Sequence, residues 1–175
     1  MTPERERLVR DSWAVVRQTP ADVAGIFYDR LFALDPAARA LFAGVDMEAQ
    51  GAKFVVMLGA IVHALDQAPV LVTDVAALAR RHAAYGAWLE HHEAVGAALL
   101  WTLERVLGAA WTPEVRAGWA EAYALIAALA RRTATHGAHG AHGAPTEQAR
   151  PCFTRPARPA HRARRAWRCG PRGRR

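Results

Sequence analysis

The sequence predicts an all-α domain over residues 1–133, followed by a tail over residues 134–175. Along most of the domain, apolar residues recur at steps of three and four, which is the spacing of one buried helix face. A capping Thr or Asp followed by Pro, a signal for a helix start, occurs at Thr19-Pro20, Asp35-Pro36 and Thr112-Pro113. Alternation typical of strands is hard to find, so we expect helices packed on helices around one core.

Start and stop signals divide the domain into seven helices. Asp46 can cap the fourth helix, the run Gln67-Ala68-Pro69 breaks it, and Thr73-Asp74 can open the fifth. Gly108 stops the sixth helix before Thr112-Pro113 opens the last. In chain order we expect helices over about 3–18, 20–34, 36–42, 46–65, 73–86, 91–107 and 112–132.

The tail differs from the domain in charge and composition. The whole chain has a net charge of +7, but residues 134–175 carry ten Arg and only one acid, so the tail is +9 and the domain −2. A His-Gly-Ala repeat (His136, His139, His142) and few aliphatic residues predict a disordered segment. These histidines are more typical of a flexible spacer than of a metal site. An alternative for the whole tail is an extension of the chain that has not been selected for a function. Nucleic-acid binding is not expected, because the basic charge lies in a segment without a binding fold.

Composition also bears on the compartment. No apolar run reaches the roughly 18 residues of a membrane span. The charged N-terminus lacks the apolar region of a secretory signal. Cys152 and Cys169 lie in the tail, so no disulfide framework supports the domain. We expect a cytoplasmic protein.

Two polar residues interrupt apolar helix faces. Gln50 shares a face with apolar residues of the fourth helix, and His82 does so on the fifth. Burying a polar group without a partner costs a few kcal/mol, so both residues need partners. Taken alone, Gln50 and His82 are each more typical of a hydrogen-bonded core residue. Tyr28, on the second helix, is by itself more typical of a core aromatic. Their joint occurrence favours a cavity shared by the two helices. The two faces are Met47, Gln50, Phe54, Leu58, Ile61 and Leu65, and Leu71, Val75, Leu78, His82 and Tyr85.

Over residues 3–132 the chain resembles the globin family, with the greatest similarity to neuroglobin-like and bacterial single-domain globins. No single piece of the pattern is specific, but the combination in this order is. The residues that carry the resemblance are Trp13, Phe27-Tyr28-Asp29-Arg30-Leu31-Phe32, Pro36, Leu41-Phe42, Gln50-Gly51-Ala52-Lys53-Phe54, Arg80-Arg81-His82, Tyr85-Gly86, Val95-Gly96 and Trp119-x-x-x-Tyr123.

The resemblance implies a globin fold of seven to eight helices around haem b, iron protoporphyrin IX. His82 matches the proximal histidine, which binds the iron, and Tyr28 and Gln50 match positions that contact a gas on the opposite side. A neutral imidazole leaves one iron position open for a diatomic ligand. The other positions expected to contact haem are Phe42, Lys53, Phe54, Arg81, Tyr85, His92 and Val95.

Two departures from the family pattern matter. The Tyr that supports the proximal histidine in flavohaemoglobins falls here on His92, and the Glu falls near Ala134, so we expect that support to be absent. His92 either bonds a propionate or Arg81, or is an exposed histidine. Gln50 is a poor iron ligand, which favours five-coordinate iron, with Lys53 as an alternative sixth ligand.

These features predict reversible binding of O₂, and of CO or NO, for storage, transport or buffering. NO dioxygenation is the alternative. It would need an external reductase, because only 42 residues follow Thr133. A haem-based gas or redox sensor is a third possibility. Either a monomer or a homodimer is compatible with the sequence.

Overall fold

The computed structural model describes residues 1–84 and 88–138, which form helices joined by short connections and contain no strand. Two 3₁₀ segments, Pro36–Phe42 and Gly108–Ala110, join α-helices. The all-α prediction is confirmed. Within this described part, no helix combines the length and apolar character needed to cross a bilayer. The α-helices are α1 (Pro3–Val16), α2 (Pro20–Leu34), α3 (Met47–Ala64), α4 (Ala68–Ala84), α5 (Trp88–Leu107) and α6 (Pro113–Ala138).

Two helix starts follow directly from aspartate caps. The Asp35 carboxylate accepts the backbone N–H groups of Ala37 and Ala38 at 3.1 and 3.2 Å. In the same way, Asp46 accepts those of Glu48 and Ala49 at 3.0 and 3.1 Å. Each carboxylate therefore satisfies donors that have no partner inside their own helix.

The start of α4 differs from the prediction. The helix begins at Ala68, not at Thr73, and Pro69 lies in its first turn. Proline is tolerated there because its missing N–H would have no intrahelical partner. The Thr73 hydroxyl instead donates to the carbonyl of Pro69 at 2.9 Å, inside the helix.

Other helix ends shift by a few residues. Helix α1 ends at Val16, α5 begins at Trp88 rather than near His91, and α6 continues to Ala138, past the predicted end at Arg132. Several predicted features lie outside the described residues. They are Tyr85, His139, His142, Cys152, Cys169 and the tail over 139–175.

The core joins α1 to α6 through a tryptophan pair. The rings of Trp13 and Trp119 meet edge to face with centroids 6.4 Å apart. The indole N–H of Trp119 donates to the hydroxyl of Ser12 at 2.9 Å, so the polar tip of this buried ring is satisfied. Helices α2, α3, α4 and α5 form a closed set of neighbours, since α2 packs on α3, α3 on α4, α4 on α5 and α5 on α2.

The α2–α3 crossing depends on a glycine. A Cβ added to Gly51 would lie 2.7 Å from the Cβ of Ala24, which is closer than two such atoms can approach. Glycine thus lets the two helix backbones meet at this point. The crossing also brings Gln50, the preceding residue, toward α2.

Gly51→Ala should lower the free energy of unfolding, by roughly 1–3 kcal/mol, because α2 and α3 must separate. Gly25→Ala is the matched control. It is a helical glycine on α2 whose added Cβ would meet nothing within 4 Å. That variant should gain about 0.5–1 kcal/mol from helix propensity. Urea unfolding of both variants measures the difference, and equal effects would contradict the close crossing.

Candidate functional site

A tyrosine and a glutamine meet between α2 and α3. The Gln50 side-chain amide donates to the hydroxyl oxygen of Tyr28 at 3.0 Å. Tyr28 is buried, and Gln50 is half-buried. Burial raises the pKa of the Tyr28 phenol, and the Gln50 hydrogen bond lowers it to a smaller extent. The phenol is therefore neutral near pH 7, and its own O–H remains a donor because Gln50 supplies the proton of their shared bond.

Aromatic rings enclose the Tyr28 ring. The ring of Phe54 stacks on that of Phe27 at 4.2 Å with an angle of 13° between them. Tyr28 meets Phe42 and Phe54 edge-on at centroid distances of 5.3 and 5.9 Å. Phe32 packs on Phe42 at 5.4 Å. Such edge-to-face pairs restrict the ring of Tyr28 and hence the position of its hydroxyl.

Phe42 and Phe54 keep part of their surface open. Both pack against the core but are only half-buried, at the end of the Pro36–Phe42 segment and on α3. Large apolar side chains with open surface beside a hydrogen-bonded polar pair are typical of the lining of an apolar ligand site.

His82 presents one nitrogen to its own helix. The imidazole is half-buried on α4, and Nδ1 lies 3.0 Å from the carbonyl oxygen of Leu78. A carbonyl can only accept, so Nδ1 carries the hydrogen and the lone pair of a neutral ring is on Nε2. Metal-binding histidines in proteins are commonly oriented by a bond of this kind.

Burial has the largest influence on the His82 imidazole and lowers its pKa below the ordinary 6.5. The Leu78 carbonyl raises the pKa, and the charge of Arg81 lowers it. His82 is thus neutral near pH 7, which is the protonation state that a metal ion requires.

This shift predicts how the stability of the haem-free protein depends on pH. The unfolded chain takes up a proton at position 82 near pH 6.5, whereas the folded chain does so only at lower pH. The contribution of His82 to the free energy of unfolding is therefore highest above pH 6.5. It falls as the pH drops from 6.5 toward the lower pKa of the folded state, because only the unfolded chain binds a proton there. Between about pH 7 and 5, the free energy of unfolding should decline more in the wild type than in His82→Gln. Parallel curves from urea titrations would contradict the lowered pKa.

The other predicted site residues lie on the helices around this region. Lys53 on α3 and Arg81 on α4 are exposed, while His92 and Val95 on α5 are half-buried. Tyr85 is outside the described residues. Among the predicted site residues, the structure brings Gln50 into a hydrogen bond with Tyr28 and places the rings of Phe42 and Phe54 against the Tyr28 ring.

Sequence reasoning missed two polar contacts at the start of α5. Nδ1 of His91 bonds the carboxylate of Asp35, and the hydroxyl of Tyr123 donates to the carbonyl of His92. Burial raises the pKa of Tyr123 to about 12, so its hydroxyl stays protonated. The one available sequence signal was a glycine inside the helix, Gly96; in the structure a Cβ there would lie 2.5 Å from the Tyr123 ring.

Comparison with known proteins supports the resemblance. The family model described as Globin matches residues 26–129. Neuroglobin of Danio rerio is 29% identical over 144 residues, covering 74% of this chain and 91% of the relative. The flavohemoprotein of Xylella fastidiosa is 30% identical over 131 residues, covering 73% of this chain and 32% of the relative. This chain thus spans about a third of the length of that flavohemoprotein.

Solved structures agree on the fold. The crystal structure of a hexacoordinated heme protein from an anhydrobiotic tardigrade at pH 4 superimposes with a TM-score of 0.69. That match covers 76% of this chain and 94% of the tardigrade protein, at 16% identity. Given the family match over more than half of its length, the chain belongs to the globin family.

Proposed function

We propose that this globin binds haem b through His82 and binds O₂ reversibly at a five-coordinate iron, for oxygen storage, transport or buffering. The observation that carries the proposal is the hydrogen bond between Tyr28 on α2 and Gln50 on α3, because α3 also packs on α4, the helix that carries His82. The relatives named as neuroglobin and as a hexacoordinated heme protein support haem as the cofactor.

The residues present fit a haem. Nε2 of His82 is the nitrogen that would hold the iron, since Nδ1 is turned to Leu78. Phe42, Phe54 and Val95 offer half-buried apolar surface for the flat porphyrin. The exposed cations Lys53 and Arg81 suit the two carboxylates at the haem edge, and we assign them that role. Haem b, when bound, supplies an iron with a coordination position open to diatomic gases.

Tyr28 is assigned as the hydrogen-bond donor to the gas. Gln50 donates to the Tyr28 oxygen, which directs the remaining Tyr28 O–H away from Gln50. A hydrogen bond in such a dry environment stabilises a polar gas ligand by roughly 1–3 kcal/mol. Because CO is less polar than O₂ in this position, the donor favours O₂.

The assignment of a five-coordinate iron is supported by the chemistry of Gln50, the residue at the gas-binding position. An amide is a weak ligand for iron, and this amide already donates to Tyr28. Lys53 is the alternative internal ligand, but its exposed position on α3 suits the haem edge better.

We also propose that residues 1–133 form the globin domain and 134–175 a separate tail. Residues 134–138 complete α6, so the test keeps them and deletes residues 139–175, which all lie in the predicted tail. The shortened chain should take up haem as the full chain does. A shortened chain that fails to hold haem would contradict this division.

Reversible O₂ binding is tested with the reduced, haem-loaded protein in repeated cycles of air and argon. The visible spectrum should alternate between the oxygenated form in air and the gas-free ferrous form in argon. The amplitude of this change should stay constant over several cycles. Oxidation within the first cycle would contradict a storage or transport role. NO dioxygenation starts from the same donors, so NO should also be added to the oxygenated protein with a separate reductase and NADH. Sustained NO consumption would favour the enzymatic alternative.

A further inference from the structure

The start of α5 is held by polar contacts from two directions. The imidazole of His91 bonds the Asp35 carboxylate, and the Tyr123 hydroxyl from α6 donates to the next residue's carbonyl, that of His92. The His91 and Asp35 side chains are only 12% and 19% exposed. Polar contacts with so little exposure are less weakened by solvent than surface pairs.

Asp35 uses its two carboxylate oxygens for different tasks. Oδ1 accepts the N–H groups of Ala37 and Ala38, which starts the Pro36–Phe42 segment. Oδ2 accepts from Nδ1 of His91. The His91 hydrogen bond is the largest of the influences that lower the pKa of Asp35, so the carboxylate is charged near pH 7. One side chain thereby joins the end of α2, the start of the 3₁₀ segment and the start of α5.

The elements joined in this way carry opposite sides of the proposed haem site. Helix α2 carries Tyr28, and the 3₁₀ segment ends at Phe42. Val95 lies one helical turn after His91 on α5. The globin resemblance implies that Val95 contacts the haem on the His82 side, opposite Tyr28, and we assign it there. The Asp35–His91 contact is separated by 56 residues in sequence, and it bridges these two sides directly.

We propose that Asp35 and His91 are positioning residues that hold the two sides of the haem site together and so determine how slowly haem leaves the protein. This inference rests on the proposed function. Neither residue needs to touch haem. Their contact fixes α5 against the segment that carries Phe42, and separation of the two would open the site. The contact does not require a charged imidazole, because a neutral ring with hydrogen on Nδ1 also donates.

The test uses substitutions that remove the contact and keep other features. His91→Phe keeps a ring of similar size without the N–H group. Asp35→Ser keeps an oxygen that can cap the 3₁₀ segment but is too short to reach His91. His91→Gln restores a donor. His63→Phe is the matched control, because His63 is an exposed histidine on α3.

Haem loss is measured by transfer from the ferric full-length proteins to excess apomyoglobin. We expect both His91→Phe and Asp35→Ser to lose haem about tenfold faster than wild type, from the loss of a charge-assisted bond. The double variant should be no faster than the faster single variant. His91→Gln should lie near wild type, as should the control. The C–O stretching band of the ferrous CO form should broaden or split in the two disruptive variants, which a loss of global stability alone would not cause.

Several results would overturn the inference. Haem loss within twofold of wild type in both disruptive variants would show that the contact does not hold the site. Multiplicative effects in the double variant would show that the two residues act separately. If wild type itself retains no haem, the proposed function falls and this inference falls with it. If urea unfolding shows that a disruptive variant is unfolded without haem, the rate for His91→Gln decides, and a tenfold faster loss there contradicts the proposal.

Discussion

His82→Gly should abolish stable haem retention. Glycine removes the only side chain that we assign to the iron, and the backbone carbonyl of Leu78 then loses its imidazole partner. In a globin the proximal histidine is the protein's bond to the iron of haem b, so its loss removes that axial ligand. The ratio of Soret absorbance to protein absorbance after desalting measures retention. It should fall at least tenfold.

Two further measurements make this prediction specific. Free imidazole added to His82→Gly should restore haem uptake in part, because it can occupy the vacated position. His63→Gly should retain haem as wild type does, since His63 is exposed on α3. Normal retention in the His82 variant without imidazole would assign the iron to another residue.

Tyr28→Phe should accelerate O₂ release by roughly one to two decades, the equivalent of one buried hydrogen bond of about 1–3 kcal/mol. The substitution keeps the ring that packs on Phe42 and Phe54 and removes only the hydroxyl. Stopped-flow displacement of O₂ by CO measures the rate. The release of CO should change much less and serves as the internal control.

Gln50→Leu separates the two donors of the pair. It leaves the Tyr28 O–H in place but removes the amide that directs it. O₂ release should therefore accelerate less than in Tyr28→Phe. Unchanged release in Tyr28→Phe would mean that the phenol points away from the gas, and a larger effect of Gln50→Leu would make the amide the main donor.

The fold was predictable because its signals are local. Asp35 and Asp46 act as caps within three residues of their own position, so the sequence alone locates the helices they begin. The predicted start of α4 at Thr73 was wrong because it relied on a local signal alone. Thr73 has the residue type of a cap, but Pro69 is better accommodated in a first turn than in a break, and the choice depends on how α4 packs.

The site residues could be predicted from periodicity only where a polar residue interrupts an apolar helix face. Gln50 and His82 stand out because each interrupts an apolar face, and Tyr28 entered through the family resemblance. The Asp35–His91 contact has no such signal, because its partners are 56 residues apart and each has an ordinary local explanation. Asp35 already serves as a cap, and His91 neighbours another histidine. Contacts of this kind depend on how distant helices meet, which periodicity does not specify.

The central claim, a haem held by His82 with an open iron position, is tested most directly by absorption spectra of the full chain loaded with haem. They should be recorded in the ferrous form before any gas is added, and then after CO. We predict one broad visible band in the ferrous form and a large Soret shift with CO, as expected for five-coordinate iron. Sharp, split visible bands in the ferrous protein before gas would contradict the claim, because they would show that a second side chain already occupies the position assigned to O₂.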